Sequence, residues 1–179
     1  MKDLMIDLET LGTTPDSPII AIGAVFFDKE TGQTGAEIEI AIDFSSACDG
    51  RAIDPKTVAW WMGQSDAARQ CVLRGKSSMQ NALNELSNFV AKNSKGEVYP
   101  WGNGAAFDIS MLEHCYRQYG IDAPWEFWDV RDCRTIEHIS TLDKRSFKRD
   151  GVHHGALDDA LHQVKYISVM IKEVRGVSL

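Results

Sequence analysis

The sequence predicts an α/β protein in which helices flank a mixed five-stranded sheet whose first three strands are antiparallel. Three strand-like segments with short connections follow one another at the start of the chain. Helical and strand-like segments then alternate, and a long amphipathic segment closes the chain. Strands joined by short turns pair antiparallel, whereas strands separated by helices pair in parallel, so we expect both pairings in one sheet.

The first three strands are predicted over residues 2–8, 19–27 and 37–43. The second segment is rich in Ile, Val and Phe, as buried strands are, and the turn cluster 28–32 follows it. The third segment alternates between charged and apolar residues, which is typical of a strand with one exposed face.

Helices and strands alternate along the rest of the chain. Pro55 suits the first turn of a short helix, Ser65 can cap another, and Ser77 or Ser78 begins a longer amphipathic helix. The remaining predicted elements are a strand at 98–101, a helix at 105–119, a strand at 125–130, a helix at 131–139, a charged loop at 142–153 and a final helix at 155–175. Because no repeat or linker interrupts this order, residues 1–179 are predicted to form a single domain.

The composition is that of an ordinary globular protein, with 44% hydrophobic and 25% charged residues in a chain of 179. The longest apolar run, near Pro18 to Phe27, is interrupted by Gly23 and is too short to span a bilayer. The N-terminus lacks the features of a signal peptide, and the four cysteines are scattered without a CxxC pair. We therefore expect a cytoplasmic protein with reduced thiols, no zinc site and no membrane partner.

Asp7 and Glu9 lie at the end of the first predicted strand. Side chains alternate along a strand, so these two carboxylates share one face, where they repel each other and lose hydration. A fold tolerates such a pair mainly when a cation lies between the acids, and carboxylate oxygens are the preferred ligands of hard ions such as Mg²⁺. The alternative interpretation is a strand end with two solvated acids.

Two further acids lie in the first turns of predicted helices. The helix dipole stabilises the charge of Asp108 there, although a capping role alone is the alternative. In the last helix, Asp159 borders the buried apolar stripe, whereas Asp158 points nearly opposite it and is expected to be a solvated surface acid. Asp159 is therefore the acid that can face the strand carrying Asp7 and Glu9.

The net charge of −7 at first weighs against a nucleic-acid partner, which usually requires a basic face. Two bound divalent ions add four positive charges and bring −7 to −3. The acidity then belongs partly to one site, and the sequence predicts a local groove in place of broad non-specific binding.

Three short motifs stand in order along the chain: Asp7-x-Glu9, Asn103 with Phe107-Asp108, and His154-x-Ala156-x-x-Asp159. Together they closely resemble the three exonuclease motifs of the DEDDh, or DnaQ-like, 3′–5′ exonucleases. Each motif is weak alone, but the set spans residues 7–159 in the expected order. The segment 57–64 is similar to a bacterial and phage subgroup that includes exoribonucleases. The resemblance implies an RNase H-like fold.

The resemblance also implies an activity: hydrolysis of phosphodiester bonds from the 3′ single-stranded ends of nucleic acid. Two divalent ions, Mg²⁺ or Mn²⁺, roughly 4 Å apart can activate a water and stabilise the departing 3′ oxygen. Asp7 would bridge both ions, Glu9 and Asp159 would complete the ion that holds the water, and Asp108 would serve the other. His154 would be the general base, because imidazole titrates near working pH.

Substrate contacts are implied for Thr10, Leu11, Asn103 and Phe107. Many relatives carry small residues after the second acid, whereas here Thr10 is followed by Leu11, which can act as an apolar wedge against the terminal nucleotide. Aromatic stacking on single-stranded bases contributes about 1–3 kcal/mol per base, which suits Phe107.

Trp60 and Trp61 are adjacent, so on a helix they cannot both face one way. We expect one in the core and one at the rim of the site, with burial of both as the alternative.

The densest basic run of the chain precedes His154 and comprises Lys144, Arg145, Lys148 and Arg149. One interpretation is a solvated loop. The other is a mobile flap that contacts phosphates and carries the histidine into place.

Three competing functions remain at this point. A proofreading DNA exonuclease that serves a polymerase would carry partner-binding tails, and a catalytically silent nucleic-acid-binding domain would leave four acids without a cation. A nucleotide phosphatase can use similar acids. The sequence does not separate RNA from DNA, although the subgroup resemblance favours RNA, and related free-standing enzymes suggest a homodimer.

Overall fold

The computed structural model of the protein describes residues 1–176. Its strands are β1 (Asp3–Thr10), β2 (Ile19–Phe27), β3 (Thr34–Ala41), β4 (Tyr99–Gly102) and β5 (Arg131–Asp132). Its α-helices are α1 (Phe44–Cys48), α2 (Pro55–Met62), α3 (Asp66–Leu73), α4 (Met79–Asn93), α5 (Asp108–Gln118), α6 (Cys133–Ile139) and α7 (Ala156–Val174). Within these residues, no helix combines the length and the apolar character that crossing a membrane requires.

The five strands form one mixed sheet in the order β3-β2-β1-β4-β5. Strand β2 pairs antiparallel with both β1 and β3, whereas β4 pairs in parallel with β1 and β5. The predicted fold class, an α/β protein with three antiparallel strands first, is confirmed. Strand β1 lies at the centre, so the acids that it carries are surrounded by protein.

Alternation along β1 divides the core between the two faces of the sheet. Leu4 and Ile6 pack on one face with side chains of α4 and α5, such as Leu83. Met5 packs on the opposite face with side chains of α7, such as Ile167. Asp7 has the parity of Met5 and therefore faces the layer that contains α7.

Several helices begin where their capping residues predict. Ser65 and Ser78 accept hydrogen bonds from the backbone amides of Ala68 and Asn81, which satisfies free donors in each first turn. Pro55 occupies the first position of α2, where its missing N–H removes no helical bond.

The fifth strand does not lie at the predicted position. Residues 125–130 contain a 3₁₀ helix at Phe127–Asp129, and strand pairing is limited to the two residues of β5. Aromatic residues favour strands mainly where their side chains pack against a sheet. The side chains of Phe127 and Trp128 are 73% and 63% exposed, so they lack that packing here. Helix α1 was not predicted, and a 3₁₀ helix at Lys144–Ser146 interrupts the predicted loop.

Gly23 allows the start of α7 to approach the sheet closely. It lies opposite Asp7 in the β1–β2 pairing. A Cβ atom at this position would lie 2.1 Å from the backbone carbon of Ala156 and 2.2 Å from the amide nitrogen of Leu157. Only a glycine fits there, and its absent side chain brings the first turn of α7 against the strand pair that carries Asp7.

Gly23→Ala should force α7 away from the sheet. Overpacking of this kind costs about 1–3 kcal/mol, and for a domain of this size Tm should fall by about 2–10 °C. Gly63→Ala is the matched control, because a Cβ there has only ordinary contact, 3.4 Å from the Trp60 carbonyl oxygen. Differential scanning fluorimetry measures both variants, and an unchanged Tm for Gly23→Ala would contradict the close approach.

Candidate active site

Three carboxylates from opposite ends of the chain converge on the face of the sheet that α7 covers. Asp7 and Glu9 share one face of β1, and Asp159 lies in the first turn of α7. One oxygen from each of the three lies within 4.8 Å of the others. Glu9 and Asp159 are 6% and 9% exposed, whereas Asp7 is half-buried and lines a cavity, so the cluster is only partly removed from water.

Asp108 joins this group from the other side of the central strand. It is the first residue of α5 and is 4% exposed. Strands β1 and β4 pair only as far as Met5. The amide of Leu8 lies beyond that pairing and donates a hydrogen bond to Asp108 Oδ1 at 3.3 Å. The carboxylate therefore accepts the hydrogen bond that the carbonyl of a neighbouring strand would otherwise accept.

Burial and the charges of neighbouring acids raise the pKa values of Asp7 and Glu9. Burial raises the pKa of Asp7 well above its usual range, and the charges of Asp108 and then Glu9 raise it further. Burial raises the pKa of Glu9 to about 8, with Asp159 and Asp108 contributing in the same direction.

For Asp108, burial raises the pKa to about 7, although the hydrogen bond from the Leu8 amide opposes the rise. Crowded carboxylates in a dry site are destabilising as anions, and a bound cation reverses that preference.

The donor set fits hard divalent cations. Carboxylate oxygens of Asp7, Glu9 and Asp159 converge, Asp108 lines the same cavity, and oxygen is the ligand atom that Mg²⁺ and Mn²⁺ prefer. Gln163 supplies an independent observation: its Nε2 donates to Asp7 Oδ1 at 2.6 Å, while its buried Oε1 has no hydrogen-bond partner among the described residues. An unpaired buried acceptor beside four acids is consistent with a hydrated cation.

His154 lies beside the acids on the loop that precedes α7. A ring nitrogen lies within 4.8 Å of a ligand oxygen of Asp159. Among the described residues it is the non-glycine residue with positive φ, at 65°. Burial, followed by the charge of His153, lowers its pKa, so the imidazole is neutral near pH 7 and able to accept a proton.

Trp60 and Trp61 separate between the rim and the core, as expected for adjacent helix positions. Trp61 is 6% exposed, and its Nε1 donates to the Thr10 carbonyl at 2.9 Å. Trp60 is 43% exposed and packs edge to face on His154, with ring centroids 4.7 Å apart. His153 also stacks on His154, with ring centroids 3.9 Å apart, so the imidazole is packed against two aromatic neighbours.

A cavity of about 590 Å³ opens onto the acids and the histidine. Asn103 and Phe107, two of the residues predicted to contact substrate, line this cavity. Asn103 Oδ1 accepts a hydrogen bond from the Tyr166 hydroxyl at 3.0 Å, which fixes the carboxamide.

Thr10 and Leu11 do not line this cavity. Leu11 is 6% exposed in the hydrophobic core, and its amide already donates to the Pro18 carbonyl at 2.9 Å. The Thr10 hydroxyl donates to the Gly12 carbonyl at 2.7 Å. Both residues therefore shape the turn after β1, and this structure does not support the expected apolar wedge at Leu11.

The basic run reaches the cavity with three of its four members, namely Lys144, Arg145 and Arg149. Arg149 forms an ion pair with Asp159. The side chain of Lys148 is 87% exposed. The side chain of Arg145 is equally exposed, so the interpretation as a solvated loop suits Arg145 and Lys148, whereas Arg149 is directed at the acid cluster.

Asp158 is not the solvated surface acid that the helical spacing predicted. It is half-buried, and its Oδ2 accepts a hydrogen bond from the Val152 amide at 2.7 Å. A side chain on Gly151 would also collide with this carboxylate. Asp158 therefore holds the loop that carries His154.

Several cavity residues were missed by sequence reasoning. Arg134, Phe147, His162, Gln163 and Tyr166 line the cavity. Gln163 had a usable signal, because it lies four residues after Asp159 on the buried side of a helix and is polar. Arg134 and Phe147 had none, because only the fold brings their segments to the site.

The acids of a central first strand, facing a closing helix with a histidine at its start, define an exonuclease of the DEDDh class. Residues 2–171 match the family described as a 3′–5′ exoribonuclease Rv2179c-like domain. The match covers nearly the whole chain, and the protein belongs to this family. The predicted membership in the DEDDh exonucleases is confirmed.

Known relatives share this fold at low sequence identity. An exodeoxyribonuclease of Enterobacteria phage T4 is 22% identical over 210 residues, which cover 99% of this chain and 92% of the phage protein. The nuclease domain of 3′hExo, a DEDDh family member solved with rAMP, has a TM-score of 0.62 at 15% identity over 95% of this chain and 91% of its own. Exonuclease I of E. coli, solved with a dT13 oligonucleotide, has a TM-score of 0.67 at 13% identity over 96% of this chain and 41% of its own.

The raised pKa values predict how stability depends on pH. The pKa of Glu9 is about 8 in the folded protein against an ordinary value of 4.5, so the folded protein binds more protons than the unfolded chain between these values. The free energy of unfolding therefore falls as pH rises through this window. In EDTA, Tm should fall by about 5 °C between about pH 5 and pH 8.5, and Mn²⁺ should offset the fall.

Two variants serve to isolate the acid cluster in this experiment. Glu9→Gln should flatten the pH dependence in EDTA and reduce the stabilisation by Mn²⁺. Glu37→Gln, at an exposed position of β3, should leave both unchanged. A wild-type Tm that stays constant or rises with pH in EDTA would contradict the assignment.

Proposed function

We propose that this protein removes nucleotides from the 3′ single-stranded ends of RNA by hydrolysing phosphodiester bonds with two divalent ions. The observation that carries the proposal is the convergence of Asp7, Glu9 and Asp159 within 4.8 Å, beside His154, in a chain of a 3′–5′ exoribonuclease family. Residues 3–174 contribute to one sheet and the helices on its faces, which supports a single catalytic domain over residues 1–179.

The four acids have the chemistry to hold Mg²⁺ or Mn²⁺. Asp7, Glu9 and Asp159 would hold one ion, and Asp108, outside that group but close enough to raise the pKa of Asp7, would share a second ion with Asp7. When bound, two such ions supply the positive charge that stabilises the phosphodiester transition state and the departing 3′ oxygen. Gln163 holds Asp7 in position through its hydrogen bond.

His154 serves as the general base. It accepts a proton from the water that attacks the phosphorus, and its lowered pKa keeps the imidazole neutral at working pH. Trp60 and His153 pack against the ring and limit its rotation, and His154 lines the cavity. Proton transfer then requires no rearrangement of the imidazole.

The remaining cavity residues suit a nucleotide. Phe107 offers a ring for stacking on a terminal base, and the Asn103 carboxamide can hydrogen-bond base or sugar. Lys144 and Arg145 reach the cavity from the basic run and can contact phosphates. An overall charge of −7 limits this attraction to the groove.

DNA is the second candidate substrate, because the phage relative is named an exodeoxyribonuclease and exonuclease I was solved with a DNA oligonucleotide. RNA is favoured because the family is described as exoribonucleases. A homodimer and a cytoplasmic location remain predictions from the sequence.

Matched oligonucleotides test the function directly. Single-stranded RNA and DNA of one sequence, labelled at the 5′ end, and duplexes with 3′ overhangs are incubated with Mn²⁺ or with EDTA. We expect a ladder of 5′-labelled products that shorten one nucleotide at a time, faster for RNA, and no products in EDTA. Cleavage that persists in EDTA, or products released from the labelled 5′ end, would refute the proposal.

Substitutions separate proton transfer from metal binding. His154→Ala should lower kcat by about 10²- to 10⁴-fold, because it removes the general base, while Mn²⁺ affinity measured by calorimetry changes little. His138→Ala, an exposed histidine of α6, is the matched control and should retain full turnover. Asp7→Ala should lose both turnover and Mn²⁺ binding; full activity in that variant would exclude the metal assignment.

A further inference from the structure

Arg149 places a cation directly against the acid cluster. Its guanidinium donates from Nη1 to Asp159 Oδ1, and the two side chains are 32% and 13% exposed. Arg149 and His162 line the same cavity as the acids. Arg149 thus occupies the side of the cluster where Asp159 would meet a divalent ion.

The backbone around Arg149 is tied down on both sides. Lys165 of α7 donates to the Lys148 carbonyl at 3.1 Å and to Asp150 Oδ2 at 2.7 Å. The amide of Val152 is held by Asp158. The Arg149 side chain can therefore change partners without moving the loop that carries His154.

The guanidinium has spare hydrogen-bonding capacity. It carries five N–H donors, and among residues 1–176 its hydrogen-bond acceptor is Asp159. The side chain lines the cavity in which a nucleic-acid phosphate would lie. Arginine binds carboxylate and phosphate with the same planar arrangement of donors, so either group can satisfy it.

We propose that Arg149 exchanges Asp159 for a substrate phosphate when a divalent ion binds to the acid cluster. Without the ion, Arg149 neutralises Asp159. With the ion bound, Asp159 is a ligand and the guanidinium, repelled by the added charge, turns to the phosphodiester. The inference rests on the proposed function and adds a residue that contacts Asp159 in the absence of the ion and a substrate phosphate in its presence.

The exchange couples metal binding to nucleic-acid binding. The ion must displace Arg149 to reach Asp159, so the arginine weakens metal binding in the absence of nucleic acid. A phosphate that holds the guanidinium removes this competition. By thermodynamic linkage, the ion strengthens nucleic-acid binding by the same factor by which nucleic acid strengthens ion binding.

The first test measures Mn²⁺ affinity without nucleic acid, by isothermal titration calorimetry at constant ionic strength. Arg149→Gln should bind Mn²⁺ about three- to tenfold more tightly than wild type, because the competing ion pair is gone. Lys148→Gln removes the same charge from the neighbouring, exposed position and should change Mn²⁺ affinity much less. Arg149→Lys retains the charge and should remain close to wild type.

The second test measures binding of a single-stranded oligonucleotide by fluorescence anisotropy, with every protein carrying His154→Ala to stop turnover. With Mn²⁺ present, Arg149→Gln should weaken binding about three- to tenfold. Mn²⁺ should then strengthen binding less than it does with Arg149 intact. Thermal melting verifies that each variant is folded.

The possible results separate this inference from the proposed function. Equal Mn²⁺ affinities for wild type and Arg149→Gln overturn the exchange, as does an equal gain in Lys148→Gln, which would reflect bulk charge alone. Tighter Mn²⁺ binding with unchanged oligonucleotide affinity also overturns it. If wild type binds no Mn²⁺ at the cluster and Asp7→Asn changes nothing, the proposed function itself fails.

Discussion

The crowding of four acidic residues at one end of the central strand, eased at Asp159 by its ion pair with Arg149, is the constraint on which the rest of the structure depends. Asp7, Glu9, Asp108 and Asp159 come from two layers of helices and the strand between them, so the crowding arises only when the whole fold has formed. The fold holds these acids together through close contacts, above all the approach of the α7 backbone to Gly23, which leaves no room for a side chain. The stability of the fold therefore depends on whether these acids are protonated or charged, and the same arrangement of oxygens could hold a cation.

Much of this arrangement could be predicted from the sequence, because the regular spacing of residues along a strand or helix determines which side chains share a face. Residues two positions apart on a strand share a face, which placed Asp7 with Glu9. The helical period distinguished Asp159 from Asp158 as the inward acid. The motif order then indicated which helix faces which strand. The strand at residues 19–27 and the start of α2 at Pro55 agree with the structure for equally local reasons, burial and capping.

Other features depend on contacts that no local pattern encodes. Phe127 and Trp128 have high strand propensity but are exposed, because the sheet edge admits only two paired residues there. The orientation of Asp158 follows from a tight turn at Gly151 that periodicity cannot indicate. Arg149 belongs to a charged run whose bulk composition suggests solvation, yet its backbone is anchored by α7 and directs it inward. Such residues acquire their roles only once the chain has folded.

The backbone of His154 has a consequence for how this lineage can change. Its φ of 65° lies in the left-handed region, which glycine enters without the steric cost that a residue with a Cβ atom carries. Replacing the histidine by glycine removes that cost, so selection for folding alone does not preserve turnover. Descendants freed from selection for catalysis should drift toward glycine at this position and persist as stable paralogues that bind nucleic acid without degrading it.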